Sequence, residues 1–183
     1  MSVRLEIAKI ISEIKPSDLL EQSDQRFVKS WIASDAQIFR VNKPAVPSTH
    51  LVSYFVPYDK KEGKILLVHH KKAGLWLPPG GHVEVDEHPR DAAFREMKEE
   101  LSAEAEFLFG EPLFITVTKT VNETKPHTDV SLWYLVEGDS LFKYVFDENE
   151  FNEIAWFSLE ACPQKQVEPH LYRFIKKLSQ RIE

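Results

Sequence analysis

Several things are scarce in this chain, and each scarcity removes a class of answer. There is one cysteine, Cys162, in 183 residues. No internal disulfide can form, which fits a reducing, cytoplasmic setting. No run approaches the roughly 20 apolar residues that a bilayer crossing needs. Residues 1–14 carry charges throughout, so they do not read as a secretory signal, and no membrane role is expected. There is no basic excess: the formal net charge is -6. Binding a nucleic-acid polymer usually demands a basic face, so no such partner is expected, and an mRNA-decapping role is disfavoured. Internal repeats and low-complexity tracts are absent as well.

What remains is an ordinary globular composition, with 43% hydrophobic and 28% charged residues. That is enough chain for one well-buried α/β domain with a modest extension. Val3, Ile7, Ile10, Ile11 and Ile14 fall on one face at helical spacing. Pro16-Ser17-Asp18 breaks that pattern and offers an N-cap. A second helix is expected from Leu19 to about Ala33, with Leu20, Phe27, Val28, Trp31 and Ile32 on its apolar side. This pair, residues 1–40, reads as a helical extension that serves packing or homodimerisation. Val41 to Ser48, with Pro44 and Pro47, reads as a linker. From about residue 48 to 183 the texture is that of a second unit. Strands are expected at His50–Tyr58, Lys64–His70, Leu113–Val121, Val130–Glu137 and Ile154–Ser158. The polar stretch Asp59 to Gly63 makes the first two a hairpin. A helix is expected from Pro89 to Leu101 and another from Glu168 to Ile182, the latter with Leu171, Phe174, Ile175 and Leu178 on one side. Strands and helices in this order suggest a mixed sheet between helices.

The chemistry concentrates in Pro78-Pro79-Gly80-Gly81 and the helix that follows. Pro89 suits a first helical position, which makes the disfavoured His88 the cap. At about 100° per residue, Glu96, Glu99 and Glu100 share one side. Ala92 lies among them, and Ala93, Phe94, Met97 and Leu101 face a core. Three neighbouring carboxylates repel one another unless a cation relieves them, and carboxylate oxygens with phosphate suit magnesium. A solvated acidic face is the plain alternative. The double glycine beside the helix argues for a site, because it permits unusual backbone angles and close approach. Arg95 can pair with Glu87, tying the loop to the helix.

The stretch from Gly81 to Ala103 resembles the Nudix box: a glycine, five residues, a glutamate, seven residues, then Arg-Glu-aliphatic-any-Glu-Glu-any-Gly-aliphatic. Gly81, Glu87, Arg95, Glu96, Met97, Glu99 and Glu100 match, while Ser102 replaces the glycine and Ala103 the closing aliphatic. The family glycine would help end the helix in a left-handed turn, so Ser102 puts the exit geometry in question. The resemblance implies a Nudix-type fold of the α/β class, a mixed β-sheet sandwiched between helices. It implies Mg2+, with Mn2+ as an alternative, held by Glu96, Glu99, Glu100 and the Gly80 carbonyl. It also implies a further acidic residue on a later loop, for which Glu150 is the candidate and Glu153 the runner-up. Glu99, Glu100 and Glu150 compete for the role of base, and Arg95 and Glu87 orient the ligands. The implied activity is hydrolysis of the diphosphate bond in a nucleoside diphosphate linked to another group, such as a nucleoside triphosphate or a nucleotide sugar. A non-catalytic nucleotide sensor of the same fold is the alternative. An isopentenyl diphosphate isomerase would need a reactive cysteine, and Cys162 has no activating motif.

Residues around the box give weaker signals. Trp76 offers a face for a base but fits a buried sheet position better. His82 and the His127-Thr128-Asp129 run are candidates for facing the pocket. His69, His70, Lys71 and Lys72 offer donors near a strand end.

Overall fold

The computed structural model describes residues 2–43, 45–120 and 126–182. Its elements are α1 (Val3–Glu13), α2 (Leu19–Ala33), β1 (Thr49–Asp59), β2 (Lys64–His70), β3 (Leu75–Leu77), β4 (Gly80–His82), α3 (Pro89–Leu101), β5 (Phe114–Lys119), β6 (Thr128–Glu137), β7 (Phe151–Ser158) and α4 (Leu171–Ile182). Both long helices around the box and the β2 strand begin and end within a few residues of where the sequence puts them. Two strands were not expected: β3 and β4 occupy the glycine-proline loop. Each is only three residues long, and Gly80-Gly81-His82 has no apolar alternation to announce it. Pairing of its main chain with β1 makes it a strand.

β1 organises the mixed sheet. It runs parallel to β6 over its whole useful length and antiparallel to β4 near Val52 to Tyr54. The expected hairpin to β2 holds only at Tyr58↔Ile65 and Asp59↔Lys64. Beyond that the two strands part, and β3 pairs with β2 while β4 pairs with β1. β7 lies on the other edge of β2. Strand alternation divides the side chains between two cores. Leu51, Phe55, Val130, Leu132 and Tyr134 pack with Ala92, Ala93 and Met97 of α3, and with Ile7, Ile11, Val28 and Ile32 of α1 and α2. Val56, Tyr58, Trp133 and Leu135 face the opposite way and pack with Leu171, Phe174 and Leu178 of α4. The sheet is therefore covered on both sides by helices. Among the described residues no helix is long and apolar enough to cross a membrane.

Two apolar faces differ from the sequence reading. On α2, Leu20 and Phe27 are exposed, and the buried arc is Glu21, Asp24, Gln25, Val28 and Ile32. Polar contacts fix this orientation. Gln25 Nε2 donates to the carbonyls of Ile11 and Ile14, each at 2.7 Å, closing the C-terminal end of α1. Glu21 accepts from Lys177 of α4 at 2.5 Å and from Ser17, and Asp18 both caps α2 and accepts from Arg173. Replacing Gln25 with leucine should cost about 1–3 kcal/mol by leaving two helix-end carbonyls unpaired. Chemical denaturation checks this, and an unchanged midpoint would remove Gln25 from its structural role.

On α3, Phe94 is exposed, and Ala92 is buried in the core with Ala93 instead of lying among carboxylates. The helix is rolled so that Glu100 points inward, and the roll carries Phe94 to the rim. The helix begins and ends on disfavoured residues. His88 does cap it, its Nδ1 accepting from Arg90 N, and Ser102 takes the left-handed conformation at φ 51° that glycine would adopt freely. A non-glycine residue pays about 1 kcal/mol there. Ser102→Gly should therefore raise stability by about that amount, read as a higher melting temperature with unchanged activity.

Candidate active site around the double glycine

Gly80 and Gly81 sit in β4 against the middle of β1, and α3 passes behind them. Each glycine is there for a different reason. Gly80 has φ +142°, a region closed to other residues, and a Cβ on it would lie 2.2 Å from the Ser53 carbonyl oxygen. A Cβ on Gly81 would meet the Glu96 carboxylate, 2.1 Å from Oε1. The missing side chain at Gly81 is the space that Glu96 occupies. Glu100 approaches the neighbouring residue: Gly80 N–H donates to Glu100 Oε2 at 2.8 Å. Two of the three sequence-predicted box glutamates thus converge on the bend, while Glu99 stands more exposed on the same side of the helix.

Arg95 braces the arrangement. Its Nε and Nη2 donate to the two oxygens of Glu87 at 2.9 and 3.0 Å, a bidentate pair. Nη1 donates to Glu96 Oε1 at 2.7 Å and Nη2 to the His82 carbonyl at 3.2 Å. Glu99 completes the set at 3.4 Å. The Glu87 carboxylate also accepts from Glu84 N, which folds the loop leading into α3. One guanidinium therefore links β4, the loop and the helix, and it fixes the Glu96 rotamer.

The glutamates are held in an uncomfortable state. Burial pushes the Glu96 carboxyl above the ordinary range, with Glu99 and Glu150 adding like charge and Arg95 opposing. Burial raises Glu100 further, helped by Glu96 and Glu150, and the Gly80 N–H only partly offsets it. Desolvation and like charge both favour protonation. A divalent cation among these oxygens would reverse that preference. The all-oxygen donor set, with Glu96 seated in the space left by Gly81, fits magnesium or manganese.

Glu150 lies on the loop before β7, and its charge acts on both Glu96 and Glu100. That loop is pinned to the site by main-chain bonds: Asp147 N donates to the Glu100 carbonyl, and Lys71 N to the Glu150 carbonyl, both at 2.9 Å. Lys71 Nζ also donates to the Glu148 carbonyl. Glu153, the runner-up, stands exposed in β7 opposite His69. Lys71 is thus a loop anchor. His70 Nδ1 accepts from Lys72 N and Ala73 N in the turn after β2. Trp76 packs in β3 between His69 and Phe157, with ring centroids at 5.2 and 5.1 Å, and is half-buried there where a buried sheet position was expected. Cys162 is buried, and its thiol is pushed up to about 11 by burial, so it is not an activated nucleophile.

The sequence reading did not foresee the partner residues that place these groups. Ser53, whose hydroxyl donates to the Pro89 carbonyl at 2.6 Å, locks the start of α3 to β1. A serine inside an apolar strand was the available signal. Asp147 was missed altogether, and nothing in its local pattern marks it.

Comparisons with known proteins bear on the family and the fold. The family model described as the NUDIX domain matches residues 49–178. A protein of Lactococcus lactis subsp. cremoris (strain MG1363), named as a probable DHNTP pyrophosphohydrolase, is 30% identical over 169 residues, covering 90% of this chain and 96% of the relative. Among solved structures, a NUDIX-family hydrolase from Clostridium perfringens is similar at TM-score 0.56 and 23% identity, covering 72% of this chain and 97% of that one. The E. coli dihydroneopterin triphosphate pyrophosphohydrolase is similar at TM-score 0.59 and 14% identity, covering 80% and 98%. At those identities the structures speak for the fold.

Proposed function

The chain belongs to the Nudix family, and from that premise we propose that it is a magnesium-dependent pyrophosphohydrolase that cuts the diphosphate linkage of a small nucleotide-type substrate. The observation that carries this reading is the convergence of Glu96 and Glu100 on Gly81 and Gly80, with Arg95 fixing the first and the Gly80 N–H fixing the second. A solvated acidic face would have no reason to bury Glu100 to 5% exposure.

Glu96, Glu99, Glu100, the Gly80 carbonyl and Glu150 are the groups that would hold Mg2+ or Mn2+. Bound there, the ion supplies charge neutralisation for the diphosphate and a lowered pKa for an attacking water. The protein's own groups do the rest. Glu96 and Glu100 are immobilised, which suits ligands that must not reorganise during the reaction. Glu99 and Glu150 are exposed enough to reach a water, and one of them takes its proton as it attacks phosphorus in line. Arg95 and Glu87 hold the geometry without touching substrate.

For the substrate, the Lactococcus relative directs attention to dihydroneopterin triphosphate, which carries the same triphosphate chemistry as a nucleoside triphosphate. The purified chain should be incubated with Mg2+ and dihydroneopterin triphosphate, nucleoside triphosphates, nucleotide sugars or dinucleoside polyphosphates, with pyrophosphate and phosphate release measured. Metal-dependent turnover on at least one compound is expected. No turnover on any of them would shift the reading to a nucleotide-binding sensor.

A further inference from the structure

The sequence singled out His82 and the His127-Thr128-Asp129 run, and the hydrolytic mechanism uses neither. In the fold they meet His50. One ligand atom from each of His50, His82, His127 and Asp129 lies within 4.8 Å of all the others. The residues come from three places: His50 and Asp129 are direct neighbours across the parallel β1–β6 pair, His127 precedes β6, and His82 ends β4. By strand alternation His50, His82 and Asp129 project from the sheet face opposite α3. The box glutamates lie on the α3 side, so the two clusters are separate.

The contacts inside the cluster are peculiar. His50 is fully buried, and its Nδ1 donates to the Pro47 carbonyl at 2.8 Å. The other ring nitrogen, Nε2, faces Asp129 Oδ1 at 3.2 Å. His127 Nε2 faces the same oxygen at 3.3 Å, and its Nδ1 lies 3.2 Å from Thr120 Oγ1. His50 Nε2 and Asp129 Oδ1 are both buried and make no hydrogen bond among the described residues. Since 3.2 Å is short enough for one, direction is what fails. The atoms do not aim at each other, as they would if a proton bridged them.

Donor atoms that share a tetrahedral ion converge on a point between them. With metal–ligand bonds of about 2.0–2.1 Å, such atoms stand about 3.3 Å apart. The two separations from Asp129 Oδ1, 3.2 and 3.3 Å, match that edge, and all four ligand atoms lie within 4.8 Å of one another. The remaining ring nitrogen of a metal-bound histidine typically meets a carbonyl or another oxygen that fixes the tautomer, as Pro47 and Thr120 do here. Imidazole-rich sites favour zinc and its neighbours over magnesium.

We propose that His50, His127 and Asp129 bind a zinc-type transition-metal ion, with His82 as the fourth ligand. Arg40 Nη1 now lies 3.2 Å from His82 Nε2. Guanidinium and metal ion compete for that imidazole, and metal entry displaces Arg40. The ion ties the beginnings of β1 and β6 to the end of β4. His82 is common ground, because its carbonyl accepts from Arg95 while its ring faces the ion.

The test uses the full chain, stripped with a chelator and titrated with Co2+ alone. One Co2+ per chain with the intense visible absorption of four-coordinate cobalt, displaced by Zn2+, is expected. Affinity should fall at least 100-fold in Asp129→Asn and in His127→Gln and stay unchanged in Glu100→Gln. Should a variant fail to fold, imidazole 15N shifts of the wild-type chain decide the matter: Zn2+ should move Nε2 of His50 and His127. Only weak six-coordinate cobalt absorption, a signal lost in Glu100→Gln but kept in Asp129→Asn, or unmoved imidazole nitrogens would each overturn the proposal.

Discussion

Glu100→Gln is expected to lower kcat by about 10²–10⁴-fold while the metal-free protein melts at a higher temperature than the wild type. The two effects share one cause. Glu100 is buried, surrounded by the charges of Glu96 and Glu150, and opposed by a single N–H from Gly80. Its folded pKa is raised above the unfolded value, so the folded state holds the extra proton. The stability this group contributes is therefore complete at low pH and is lost as pH climbs through the folded pKa. Without metal, the melting temperature of the wild type should fall as pH rises above the ordinary glutamate value of 4.5. The amide is neutral at every pH and should flatten that decline. Saturating Mg2+ should reverse the order, since a ligand at 100 times its Kd adds about 2.7 kcal/mol to the protein that binds it. Melting curves across pH, with EDTA and with Mg2+, read all of this. A variant that hydrolyses substrate at the wild-type rate would remove Glu100 from the active site.

The second large effect separates the two glycines. Gly80→Ala should destabilise the fold by about 4 kcal/mol or more, because φ +142° and a 2.2 Å approach to the Ser53 carbonyl both oppose a Cβ, and backbone offers no escape. Gly81→Ala meets only a side chain. Glu96 can swing aside, so the fold should survive with a modest loss, but the carboxylate leaves its place on Arg95. A displacement of about 1 Å at such a centre costs about 100-fold in rate. Circular dichroism and turnover together distinguish the cases. If Gly81→Ala hydrolyses substrate normally, Glu96 does not need the position seen here.

Much of this was readable before any coordinates, and the reasons are physical. α3 has a proline at its first position and a spaced set of charges, both strong local signals, and its limits came out as expected. The three glutamates could be put on one side from helical geometry alone. What geometry could not supply was the roll of the helix about its axis. That depends on Glu100 reaching Gly80, a contact between residues 20 apart, so Phe94 was expected inside and is found outside. α2 failed for a similar reason. Its orientation is set by Glu21 and Gln25 acting on residues distant in sequence, and hydrophobic spacing does not see such partners. β4 was missed because its strand character belongs to its pairing with β1. The histidine cluster shows the same limit: His50 was expected only as a strand residue, His82 and His127 gave weak separate signals, and only the β1–β6 register brings His50 beside Asp129.

The clasp between α2 and α4 bears on how the chain comes into being. Lys177 and Arg173 are made 156 and 155 residues after Glu21 and Asp18. Until α4 is made, Glu21 has Ser17 to accept from and Asp18 has the α2 cap, while the cations that complete the clasp are still missing. Only when α4 has left the ribosome can the clasp between α2 and α4 close.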